Sequence, residues 1–184
     1  MDTNTIAKSM RPQALLEMLA DAGRPGPEHK KLDPLVGGRD GADDFILTAK
    51  FWTDPSQPPA VTTGTAHKRW IMEGRFIQAN LKFDVGGETF EQLNMFGYDA
   101  TQKKFYVVCF SGLDGSLTHN IISINSTGDS FEWSTEERSP VTGETVKGRT
   151  VILVETPDRI VMHAYITVNG KEVKVKEISN VRFK

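Results

Sequence analysis

The sequence predicts an all-β fold: a closed, up-and-down antiparallel barrel of about ten strands, preceded by one or two short helices. Three observations carry this. Segments rich in β-branched and aromatic residues follow one another from residue 44 onward, each bounded by a turn signal. The turn signals are short and carry glycine, as at Glu73-Gly74, Gly86-Gly87, Asp114-Gly115 and Asn169-Gly170, so successive strands are hairpin partners. No helical segment alternates with the strands after residue 44, which argues against a parallel α/β sheet. An open meander would leave a strand edge exposed on either side, and closure removes both.

The elements follow in order. Residues 1–12 are polar and without period, which predicts a frayed end. A helix then starts at Pro12, with proline in its first turn. Leu15, Met18, Leu19 and Ala22 share one face, and Gly23 stops it. Arg24-Pro25-Gly26-Pro27 breaks the chain, and a second short helix runs from about Pro27 to Leu35 with Leu32 and Leu35 as its apolar side. Residues 1–24 read as an N-terminal extension, and 25–184 as one barrel domain. Strands are expected near 44–52, 61–72, 75–84, 88–97, 104–111, 116–124, 130–136, 145–155, 159–168 and 172–183.

Alternation assigns faces. Ile77, Ala79, Leu81 and Phe83 point inward, and the same phase takes Arg75 with them. Phe131 and Trp133 oppose Glu132 and Ser134. In the last strand Val173, Val175, Ser179, Val181 and Phe183 share a face, interrupted by Glu177. Arg75 and Glu177 are therefore the charges expected inside. A buried charge needs a partner, either each other or the head group of a ligand. An arginine grips a carboxylate through two parallel hydrogen bonds, which suits an amphipathic acid.

Composition limits the function classes. A chain of 184 residues can bury one proper core, and a formal net charge of −2 leaves no electrostatic footprint for nucleic acid or an anionic membrane. No apolar run approaches membrane-spanning length, and the first residues lack the apolar core of a secretory signal. Cys109 is the single cysteine, so no intramolecular disulfide forms. The expected location is cytoplasmic. His29, His67, His119 and His163 lack metal-ligand spacing, and neither metal nor cofactor is expected. Neither Gly37-Gly38 nor Gly86-Gly87 has the setting of a phosphate loop, and Ser111-Gly112 lacks the strand–elbow–helix context of a hydrolase serine.

Several stretches together resemble a known family. These are PGPEHKKLDPLVGG at 25–38, GTAHKRWIMEGRF at 64–76, GYD at 97–99 followed by Lys103-Lys104-Phe105, and NGKEVKVKEISNVRFK at 169–184. In this order they are similar to the bacterial domain-of-unknown-function family 1579, which itself resembles the calycins: lipocalin-like barrels with a short N-terminal helix closing one end. The resemblance implies a fold and no settled activity. Members usually carry L-V-G-x-W after the helix, and in calycins that tryptophan plugs the barrel base. Here Leu35-Val36-Gly37-Gly38 runs on into Arg39-Asp40-Gly41 with no aromatic residue. Some calycin-like barrels bind haem through a histidine. His163 is the nearest counterpart, although the apolar run Met162, Ala164 and Ile166 turns His163 and Tyr165 outward.

The expected function is binding of a small apolar or amphipathic ligand in the barrel, with Arg75, Glu177, Trp70, Trp133, His163 and Tyr165 as the candidate ligand-binding residues. No nucleic-acid or membrane partner is expected, and a homodimer is left open. The alternatives are an enzyme using Glu177 or His163 as acid or base at the barrel mouth, and a filled barrel acting through protein contacts.

Overall fold

The computed structural model describes residues 12–36, 42–138 and 142–183. Three helical segments, α1 (Pro12–Ala22), α2 (Pro27–Lys30) and α3 (Asp33–Val36), precede the strands. These are β1 (Ala42–Phe51), β2 (Ala60–Ile71), β3 (Phe76–Val85), β4 (Glu88–Asp99), β5 (Lys104–Ser111), β6 (Leu117–Ile124), β7 (Ser130–Arg138), β8 (Thr145–Thr156), β9 (Arg159–Val168) and β10 (Lys171–Arg182). Each strand pairs antiparallel with the next, and β1 pairs with both β2 and β10, so the meander closes into a barrel. The second expected helix is two short turns, α2 and α3, separated by Lys31-Leu32.

The tight turns explain the hairpins. Gly86 and Gly87 both have positive φ, at 62° and 87°, as do Asn169 and Gly170 at 50° and 76°. Left-handed backbone at both central residues matches the twist of the flanking strands. At one end of the barrel α2 and α3 form a cap. Leu32, Leu35 and Val36 are buried there with Phe45, Ile77 and Ile160. Each such side chain contributes about 1.5–3 kcal/mol by leaving water. The Gly26 N–H donates to His29 Nδ1 at 3.1 Å, and the His29 ring meets Tyr98 edge-on at 5.6 Å. Trp70 Nε1 donates to Asp33 Oδ1 at 3.0 Å, tying β2 to α3. Residues 37–41, where a family tryptophan would fall, lie outside the described residues.

Two irregularities shape the barrel. Among the described residues β6 and β7 pair only at Ser123–Glu132 and Ile124–Phe131, so the wall parts toward the other end. In β10 the register against β9 shifts between Lys174 and Lys176. That bulge reverses the side-chain phase. Lys176, Ile178 and Asn180 therefore point into the barrel, and Glu177, Ser179 and Val181 point out. Val181 and Phe183, expected inside, are exposed at 43% and 66%.

Candidate interior binding site

Strand alternation places one side chain in two inside a barrel, and here the interior is not filled. Toward the open end, between Phe51, Phe83, Phe96, Trp133 and Met162, lies a chamber of about 280 Å³. A smaller chamber of about 60 Å³ lies beneath it, between Leu35, Ile77, Ala79 and Ile160, against the helical cap. Gln92, Asn94, Phe96, Ile152, Met162 and Ile178 line both, so the two adjoin in one interior. Ligand pockets usually run from about 300 Å³ upward, so this space suits a small molecule better than a long lipid.

The polar groups of this interior fall at defined levels. Gln92 Nε2 donates to Asn94 Oδ1 at 2.8 Å across the middle. Near the mouth, Lys176 on β10 enters the larger chamber with its ammonium 5.6 Å from the centre of the Phe51 ring. Burial lowers its pKa, and the charges of Glu137 and Asp114 oppose that shift. Cys109 lines the same chamber. Burial raises its pKa, against a hydrogen bond with Thr118, so it stays a thiol.

Lys68 stands at the deep end. Ala66, Lys68 and Trp70 share the inward phase of β2, while His67 and Arg69 point to solvent. Lys68 is only 8% exposed, and its Nζ sits 4.4 Å from the centre of the Phe45 ring. Burial alone brings its pKa down to about 7; no charged group among the described residues contributes. A desolvated cation over a ring face gains about 2 kcal/mol or somewhat more, short of the cost of an unpaired buried ion.

The residues expected from sequence are distributed differently. Trp133 lines the larger chamber. Trp70 belongs to the cap, through Asp33. Arg75 is not inside: β3 begins at Phe76, and the Arg75 guanidinium folds back on the preceding turn, donating to Met72 O at 3.0 Å and Glu73 Oε2 at 2.9 Å. Glu177 is on the outer wall, accepting from Lys174 Nζ at 2.7 Å and Lys50 Nζ at 2.9 Å. These hydrogen bonds hold its carboxyl at about 2. His163 Nε2 lies 3.8 Å from Glu177, and His163 Nδ1 is 3.3 Å from the Tyr165 hydroxyl. Tyr165 in turn lies under the Arg149 guanidinium, which pairs with Glu172 and Glu132. His163 and Tyr165 point outward as the apolar run predicts, and with Glu177 they line neither chamber.

Sequence reasoning missed Lys68, Lys176, Gln92 and Asn94. For Lys68 the signal existed: alternation between Ala66 and Trp70 puts it inside. For Lys176 no signal existed, because the bulge that turns it inward is a property of the β9–β10 pairing.

A closed antiparallel barrel, capped by helices at one end and hollow within, is the class of protein that this architecture defines. The chain belongs to the family described as protein of unknown function (DUF1579), whose family model matches residues 24–182. The match begins after α1. No curated protein matches the chain. No helix among the described residues is long and apolar enough to cross a membrane.

Proposed function

We propose that this protein binds a small amphipathic molecule inside the barrel. The observation that carries the reading is the hollow interior with Lys68 at its deep end, a donor with no counter-charge among the described side chains. Empty polar cavities are costly unless water or a ligand satisfies them. The apolar part of the ligand would lie against Phe51, Phe83, Phe96, Trp133 and Met162. Its acceptor group would meet Lys68 or the Gln92 and Asn94 amides. Entry would be by the mouth or by the parted wall between β6 and β7, clear of the cap. The reading places the protein in a reducing compartment, where the Cys109 thiol persists.

The test is to extract the purified protein with organic solvent, identify what is released, and follow the thermal midpoint with octanoate. A ligand that binds only the folded state at a hundred times its Kd stabilises by about 2.7 kcal/mol, a shift of several degrees in a domain of this size. Ala164→Phe, which fills the larger chamber, should abolish that shift. A clean extract together with no shift from octanoate or a panel of neutral amphiphiles rejects the reading.

A further inference from the structure

We propose that the ε-amine of Lys68 condenses with the carbonyl group of an apolar aldehyde or ketone held in the barrel, forming a reversible imine. The inference rests on the interior-binding reading and names the ligand chemistry that the deep end takes.

The geometry comes first. Lys68 is a buried lysine that lines a cavity, and no acceptor among the described side chains holds its Nζ; Asp43 of β1 stands opposite it in the strand register. The walls around it are mostly apolar, Leu35, Ile77, Ala79 and Ile160 among them. Burial disfavours an ammonium in such a place and shifts the balance toward the free amine. A free amine carries the lone pair that an ammonium lacks, and desolvation in an apolar pocket is one of the ways a lysine becomes a nucleophile. With a pKa of about 7, half of Lys68 is free base at neutral pH. An ordinary lysine at the same pH has less than about one part in a thousand in that form.

The chemistry balances without an outside reagent. The amine nitrogen adds to the carbonyl carbon to give a carbinolamine. The carbonyl oxygen then leaves as water with both amine protons, and a C=N bond replaces the C=O bond. Nothing is oxidised or reduced, and hydrolysis reverses the step. The product is uncharged, so the deep chamber no longer has to host a cation. Gln92, Asn94 and Asn180 line the same chamber and offer amide groups to the carbinolamine hydroxyl and the departing water. The Asn180 side chain is itself held in place, its Nδ2 donating to Ile160 O at 3.3 Å. The small chamber, about 60 Å³, has room for the carbonyl carbon and its first neighbours, and the rest of the chain extends into the larger one.

The experiment treats the full chain with octanal at neutral pH, reduces with cyanoborohydride, and maps octyl adducts by peptide mass spectrometry, with octanoate thermal shifts run in parallel. The expected result is an adduct on Lys68 at least tenfold above that on any other lysine, and loss of that selectivity when the protein is unfolded in urea before labelling. Lys68→Met and Lys68→Arg should both lose the adduct, and the arginine variant should keep the octanoate shift. Octanoate binding combined with octanal labelling only at surface lysines such as Lys82 and Lys103 overturns the imine and leaves the binding reading standing. Absence of both the shift and the selective adduct overturns the two together.

Discussion

Lys68 and Glu177 show how the same barrel wall treats charge on its two sides. Inside, Lys68 has burial acting on it and nothing opposing, and its pKa falls from 10.5 to about 7. Between those values the unfolded chain holds more protons than the folded one, so stability rises with pH across that window and levels off above it. The full span is about 5 kcal/mol. Lys68→Met should remove this slope and stabilise the protein at pH 7, measured by urea unfolding at several pH values. Equal slopes in the two proteins would mean that Lys68 is hydrated. Outside, Glu177 is depressed to about 2 by its lysine hydrogen bonds. Its contribution is present above the unfolded value near 4.5 and lost as pH falls toward 2. The Lys50 and Lys174 side chains are 42% and 35% exposed, so solvent screens the cluster. Glu177→Gln should therefore cost no more than about 1 kcal/mol at neutral pH, and less at high salt. A loss several times larger would place the carboxylate inside the barrel after all.

At the scale of elements, the helices divide into two that cap the barrel and one that does not. α1 forms where proline, an apolar stripe and glycine predict it, yet it buries none of its residues; Leu16 and Leu19 are each 61% exposed. α2 and α3 are shorter but carry buried Leu32, Leu35 and Val36, and Leu35 reaches the inner chamber. Helix formation and helix docking are separate facts, since most helical stability in proteins comes from packing. Deleting residues 1–24 should leave the thermal midpoint within a few degrees of the parent. Leu35→Ala should lower stability by about 2–5 kcal/mol, the cost of removing a buried leucine and leaving a void. Calorimetry of the two variants decides this, and the reverse order of effects would show that α1 belongs to the core. The β10 bulge is the other element with consequences. One shifted residue exchanges Glu177 for Lys176 on the inner wall, and with it the sign of the charge that any ligand near the mouth would meet.

Over the whole molecule, closure and hollowness go together. Joining β1 to β10 removes the free edges, and the circumference this sets is wider than the side chains fill. The close approach of neighbouring strands shows at Gly64, where a Cβ would land on the Lys82 carbonyl oxygen, so only glycine fits that bend. Cys109 reports on the interior without any mutation, because it lines the larger chamber as a protonated thiol. A thiol reagent should modify it at least tenfold more slowly in the native protein than in denaturant, and octanoate should slow it further. Native modification at the denatured rate would mean that the chamber is open to solvent at this level.

What the sequence determined by itself is whatever depends on local pattern. The ten-strand meander, its turns, the start of the helical cap, the inward row from Ile77 to Phe83 and the outward turn of His163 and Tyr165 all follow from period and turn chemistry, which act between near neighbours. The charged interior was decided by tertiary structure. Arg75 lies outside because β3 starts one residue later, and Glu177 lies outside because β9 and β10 slip by one residue at Lys174. Phase along a strand is counted from its pairing with a neighbour, and a bulge resets the count without a mark in the sequence. Lys68 was within reach of alternation, but its depressed pKa depends on what surrounds it: mostly apolar walls brought from α3, β3 and β9, with no charged group among the described side chains contributing.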